Sequence, residues 1–339
     1  MSEAVIHPNL SKRPNLTPGP NLTPPPNLSK RPNLTPGPNL TPPHGVIRSR
    51  HSQWPGWLRQ AASIAAILCM VLVVWSVAAT LVNPVPAGAE PGLTTTNGLT
   101  PANWWNDRPI LPSPPQVAVA TWNGLFGYPV TSPRSLIYHA IVTLQAAVTG
   151  FALATVIGIA LATAIVHSKL LDRGLLPWVI VSQSIPVLAT APMIVVVLGH
   201  AGFSGLLPKA VISASLAFFP VTIGMCKGLR AAGSAQLELL HTYNATRAQI
   251  FFKLRWPASI PYLFPALKVA FALAITGAIV GELPTGAQAG LGARLLIASY
   301  NGLMLLMWAT LVVASMLAGL SVGVLTLIER ALPRFRASQ

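Results

Sequence analysis

Acidic residues are the scarcest chemical group in this chain: Asp and Glu together number 7 in 339 residues. All charged residues make up only 9%, against about 25% in an ordinary soluble domain. So few carboxylates cannot cover a globular surface, which excludes a typical soluble enzyme. Cysteine is nearly absent as well. Cys69 and Cys226 both lie in apolar runs, so there is no disulfide framework, and each reads as a small apolar packing residue. No G-x-x-x-x-G-K-S/T segment occurs, so this chain does not bind ATP through a P-loop.

What is abundant is apolar. Hydrophobic residues reach 52%, mean hydropathy is +0.58, and 22 Lys and Arg give a net charge of +15 with a pI near 11.0. A disordered, basic nucleic-acid binder would be poor in apolar residues. A polytopic, all-α membrane protein remains.

The head of the chain is a repeat. Residues 8–43 read PNLSKR, PNLTPG, PNLTPP, then the same three hexamers again, and hold 12 of the 33 prolines. Proline fixes φ and removes a donor, so neither helix nor sheet runs through. One Leu per hexamer buries too little to offset chain entropy. Residues 1–50 therefore read as a disordered, extended tail, either a tethering arm or a tandem duplication without a role. The tail lacks the apolar core and cleavage site of a secretion signal.

Spans need about 20 mostly apolar residues. The stretches 61–82, 137–166, 175–198, 206–226, 262–280 and 302–328 qualify, six in all. The third contains Pro177, Pro186 and Pro192, so it is expected to be kinked or broken. Lys209 sits in the first turn of the fourth and Lys268 within the fifth; both are expected to snorkel. With the N-terminus inside, 17 of the Lys and Arg fall on the cytoplasmic side and Arg108, Arg134, Lys209 and Arg294 outside. That asymmetry sets N- and C-termini in the cytoplasm and explains the pI without nucleic acid.

The loop 83–136 falls outside. Within it, LPSPPQVAVATWNGLFG predicts a short helix capped by Ser113, with Pro114 and Pro115 in the first turn. Val117, Ala120, Trp122, Leu125 and Phe126 would form an apolar stripe at the membrane interface, beside Trp104 and Trp105.

One inside loop is long. Residues 227–259 carry the segment ELLHTYNATRAQIFFKLRWPASIP, 238–261. Glu238, Leu239 and Leu240 open a helical pattern. Asn244 can take a left-handed turn, and Thr246 can cap a second helix over 248–254. Pro257 and Pro261 are expected to end it and redirect the chain. Two short helices in an L would result, suited either to a soluble partner or to anionic lipid.

This segment resembles the EAA motif of ABC importer permeases, the inner-membrane components of binding-protein-dependent transport. Glu238 takes the Glu position, Asn244 the Gly position six residues on, and Pro257 the Pro position nineteen on. Ala245 and Thr246 match the small residues after the bend, while Leu239, Leu240 and Trp256 depart from the usual Ala, Ala and Leu. ILPSPPQV, SIPVLATAPMIVVVLG, FFPVTIGMCKGLR and GELPTGAQAGLGARLL are similar to further family segments in matching order. Together they resemble the nitrate, sulfonate and taurine subgroup, which includes riboflavin and pyrimidine-precursor permeases.

The resemblance implies a type I ABC importer permease fold in a bacterial inner membrane. The resemblance covers most of 110–330; the chain as a whole is expected to divide into the tail 1–50, outside the resemblance, a first transmembrane helix 51–82, the exterior loop 83–136, a core 137–330 with its coupling loop 227–259, and a cytoplasmic tail 331–339. The resemblance also implies a second permease copy, two ABC ATPase subunits that bind the ATP, and an exterior substrate-binding protein. No cofactor belongs to this chain, and the chain itself is not an enzyme. Glu238 would offer a negative charge to the ATPase, and Asn244, Ala245 and Thr246 would form the bend seated in its cleft.

Glu282 is the one acid near the exterior end of a span, which marks it for function. It could pair with Arg294 and hold a gate segment at Gly290 and Gly292, or simply face water. The glycines permit a tight re-entrant turn. His139, His167, His200 and His241 lack metal-ligand spacing. With no obvious cation at the midplane, a neutral heterocycle fits the pathway somewhat better than a sulfonate or nitrate. A stand-alone secondary transporter or channel is the alternative, but it predicts internal repeats or buried proton-relay carboxylates. A membrane scaffold would leave the ordered loop without a use.

Overall fold

The computed structural model describes residues 56–83, 102–106 and 108–331. The repeat tail, the middle of the loop 83–136 and residues 332–339 lie outside the described residues. Helices account for all regular structure there, with no strand among the described residues.

The expected spans form where the apolar runs are. They are α1 (Gly56–Val82), α3 (Leu136–His167), α6 (Leu206–Arg230), α9 (Trp256–Glu282) and α11 (Met304–Ala331). The third expected span is a broken pair, α4 (Lys169–Val181) and α5 (Val187–His200), bent by 104°. The break falls at Ile185, which is extended ahead of Pro186, as the residue before a proline must be. Pro177 and Pro192 are tolerated inside their helices. The chain is thus a multi-pass membrane protein, with five long apolar helices among the described residues, or six spans counting the broken pair.

Helices α3, α6 and α9 form the centre. Ala154, Ala214, Ala217, Val221, Ala270 and Ala274 are buried between them. These small residues let the backbones approach, which is how helices gain packing where lipid offers no hydrophobic drive. At Gly150 an added Cβ would collide with Ser213. Ser213 in turn donates across to Ala274 O at 2.8 Å, and Phe151 stacks on Phe271 at 4.6 Å.

Helix α1 is joined near one end. Trp75 donates to Pro112 O at 3.0 Å and its ring lies 5.0 Å from that of Trp308. Asn83 both donates to Leu111 O and accepts from Leu111 N–H. These bonds position α2 (Pro114–Phe126), which begins after Ser113 as expected, with both prolines in its first turn. Its apolar residues do not form one interfacial stripe. Val117 is buried, and Ala120 and Leu125 pack on the cluster of Leu136, Leu291 and Val313. Trp122 and Phe126 face outward and pack on each other at 4.6 Å. The short helix therefore docks on the bundle, because it has apolar residues on two faces.

Neither lysine behaves as a snorkel. Lys268 meets Glu329 at 2.5 Å and ties α9 to α11. Lys209 is buried in α6, 9% exposed.

Candidate functional site

The loop after α6 is built by local hydrogen bonds. Helix α7 (Ser234–Thr242) ends at Tyr243, and Asn244 follows with φ 53°, the one non-glycine at positive φ among the described residues. The N–H of Ala245 reaches Leu240 O at 3.0 Å and that of Asn244 reaches His241 O at 2.9 Å. This pair of bonds is the Schellman pattern, which closes orphan carbonyls and needs a left-handed residue. Asn tolerates that conformation better than other side chains, so it serves where the resembling family has Gly.

The chain then turns at once into α8 (Arg247–Ile250). Thr246 accepts from Gln249 N–H at 3.3 Å, and the Gln249 side chain accepts from Thr246 N–H at 2.9 Å. This is a capping box. Thr246 was legible as a cap; the Gln249 half is an equally local signal. The expected second helix does not end at Pro257 and Pro261. A π-helical stretch, Phe251–Arg255, carries α8 directly into α9, with Trp256 N–H bonded to Phe251 O. The wider turn lets Pro257 enter as a first-turn residue of α9, where its missing N–H costs little. Single-turn π segments of this kind occur often at functional sites.

Glu238, Leu239, Tyr243 and Asn244 are exposed on this loop, with Leu239 57% and Tyr243 75% accessible. Leu240 and Ala245 are half-buried and Ile250 is buried. The bend thus presents one carboxylate and two large apolar groups outward, on a rigid backbone.

At the other end of α9, Glu282 is completely buried. Its carboxylate does not pair with Arg294: among the described residues the ion pairs are Arg230–Asp172 and Lys268–Glu329. Instead Oε1 accepts from Thr143 Oγ1 at 2.8 Å and Oε2 from Gly292 N–H at 2.7 Å. Thr143 Oγ1 also accepts from Leu291 N–H at 2.8 Å. Gly290 N–H donates to His139 Nδ1 at 3.0 Å. Nδ1 is thereby the acceptor, so Nε2 carries the hydrogen and donates to Pro133 O at 2.8 Å.

These contacts share one purpose. Residues 290–292 open α10 (Leu291–Tyr300), and the first N–H groups of any helix lack internal partners. Side chains from α3 and α9 supply them, and a carboxylate beside a helix N-terminus is further favoured by the dipole. Gly290 has φ 128°, and a Cβ there would overlap the Glu282 carboxylate. Arg294 lies half-buried on α10, its Nε without a hydrogen-bond partner. Of the residues expected at this site, Glu282, Gly290 and Gly292 come together and Arg294 does not join them. His139 and Thr143 were not legible as partners, because they lie about 140 residues away in sequence. Among the described residues no cluster of His, Cys, Asp or Glu could hold a metal ion.

Comparison with known proteins follows the same line. Residues 154–337 match the family described as binding-protein-dependent transport system inner membrane component. The chain is 33% identical over 196 residues to the formylaminopyrimidine transport permease protein ThiX of Halalkalibacterium halodurans, covering 57% of this chain and 73% of that protein. It is 33% identical over 232 residues to the riboflavin transport system permease protein RibX of Chloroflexus aurantiacus, covering 68% and 81%. Over 181 residues it is 28% identical to the nitrate import permease protein NrtB of Synechocystis, covering 52% and 64%.

Proposed function

This chain belongs to the family of binding-protein-dependent transport inner-membrane components and is a permease subunit of an ABC importer rather than an enzyme; on that premise we propose how it is coupled and what it carries. Two copies of the chain form the pathway. Two ATPase subunits dock on the bend 238–246 from the cytoplasm, and a binding protein delivers the solute outside. ATP is bound by the ATPases, whose closure draws the two bends together and rocks the spans between inward and outward access. Both termini lie inside.

The observation that carries this reading is the bend. Its Schellman closure and capping box make a rigid corner, and its exposed face carries Glu238, Leu239 and Tyr243. Exposed apolar groups beside a single carboxylate, on a loop outside the spans, suit a soluble partner with a basic cleft. The test is co-purification of the solubilised chain with the ATPase encoded beside it, followed by uptake into vesicles. Glu238→Lys is expected to abolish both assembly and ATP-driven uptake while the permease remains folded. Unchanged assembly and uptake would refute the assignment.

For the solute, we favour a pyrimidine- or riboflavin-like heterocycle, in keeping with the relatives named for formylaminopyrimidine and riboflavin. An anion of the nitrate, sulfonate or taurine type is the second reading. Its support is the relatives named for nitrate and aliphatic sulfonates; the buried Lys209 interacts electrostatically with Glu282. Uptake of labelled formylaminopyrimidine, riboflavin, taurine and nitrate into the same vesicles, with the cognate binding protein, separates the two.

A further inference from the structure

A cavity of about 700 Å³ opens between the last two turns of α3 and the start of the Arg247 helix. Ala160, Thr163, Ala164 and His167 line it from α3, and their spacing puts them on one helix face. Phe251 and Trp256 form the opposite wall. His167 and Arg247 also line a second cavity of about 290 Å³, to which His241 and Arg255 contribute. An apolar trough therefore continues into a basic mouth.

The charges at that mouth are uncommitted. Arg247 and Arg255 make no ion pair among the described residues, and Asp172, from the neighbouring helix, is held by Arg230 at 2.6 Å. The trough reaches Ala160, seven residues from the end of α3, about 10 Å along the helix axis. An apolar wall of this length on a helix apolar enough to cross a membrane suits an acyl chain. The mouth gathers His167, His241, Arg247 and Arg255, with no acid among the described residues that line it, so its charge calls for an anion. An amphiphile with an anionic head matches both halves. Basic pockets at helix ends attract such lipids electrostatically.

We propose that this trough binds one anionic phospholipid of the adjacent leaflet. The phosphate sits between Arg247 and Arg255, and an acyl chain lies against Ala160, Ala164, Phe251 and Trp256. Arg247 follows directly on the capping residue Thr246, so an occupied site braces the corner of the coupling bend.

The experiment uses the full chain in nanodiscs of phosphatidylcholine with a minor share of phosphatidylglycerol, released for native mass spectrometry. Phosphatidylglycerol is expected to stay bound and phosphatidylcholine to leave. Arg247→Gln with Arg255→Gln should lower retention about tenfold, as expected for loss of charge-assisted contacts. Ala164→Leu, which keeps both charges and fills the trough, should lower it too. Lys253→Gln, at a residue lining neither cavity, should change nothing. Brominated phosphatidylglycerol should quench an increment of fluorescence that Trp256→Phe lacks. Equal retention of both lipids, or retention unaffected by both cavity variants, would overturn the proposal. So would full competition by glycerophosphate, which has no chains, or disulfide cross-linking of Ala164→Cys to a second copy.

Discussion

The two ends of the helix that runs from Arg247 to Glu282 are held by opposite means. At the Glu282 end, buried side chains about 140 residues apart in sequence meet the backbone of 290–292. Nothing there forms until α3, α9 and α10 are in place. At the Arg247 end, every bond that shapes the bend spans three to five residues. That corner is a self-contained piece. A corner closed by its own bonds would keep its shape if a partner moved it, as the proposed coupling requires. The Glu282 end is a part of the global fold, and disturbing it disturbs the bundle.

Glu282→Ala should therefore produce the largest loss. It leaves the Thr143 hydroxyl and the Gly292 N–H buried without an acceptor, and unsatisfied buried donors cost about 1–3 kcal/mol each. A destabilisation of about 3 kcal/mol is expected in thermal unfolding of the detergent-solubilised chain. Glu282→Gln, which keeps one acceptor, should lose less. A neutral result for Glu282→Ala would place this end in the same class as the bend. Gly290→Ala comes next. It puts a Cβ onto the carboxylate at a positive φ, and strain of this kind costs about 1–3 kcal/mol. The same unfolding measurement should show it, and Glu282→Ala with Gly290→Ala should fall short of the sum, because both act on one contact.

The contrast also explains what could be read in advance. Asn244 and Thr246 announced the bend, because the Schellman turn and the capping box are decided within a few residues. The spans were legible from hydropathy and the broken third from Pro186. Glu282 stood out through the scarcity of acid, but its partners did not. Arg294 was the charge in view locally, whereas the folded carboxylate takes backbone N–H groups and Thr143 instead. Pro257 and Pro261 misled for the converse reason. A local rule says that proline ends a helix, but the π turn at Phe251–Arg255 accommodates Pro257 and lets the span begin at the bend itself. Lys268 was read alone, and its partner Glu329 lies on another helix.

At the bend, Asn244→Val is expected to cost about 1–2 kcal/mol locally, the penalty for a β-branched residue in the left-handed region. The bundle does not depend on that corner, so the midpoint of global unfolding should shift little. The effect should appear as faster proteolytic nicking at 243–246 and as weaker ATPase co-purification. Asn244→Gly should restore both. If Asn244→Val lowers global stability as much as Gly290→Ala, the bend is not the autonomous unit its hydrogen bonds describe.

The smallest stability effect belongs to Leu239. Its side chain is 57% exposed, so Leu239→Ala should change unfolding by no more than about 0.5 kcal/mol. Its effect on assembly is the sharper question, since the resembling permeases carry Ala there. An ATPase cleft that has adapted to this chain loses apolar contact when Leu239 is cut back, and binding of its own ATPase should fall several-fold while stability stands still. The change tests the division directly: a side chain with almost no part in holding the permease together should still alter what the permease holds. Tighter ATPase binding by Leu239→Ala would mean that the cleft still fits Ala and that Leu239 obstructs the dock it occupies.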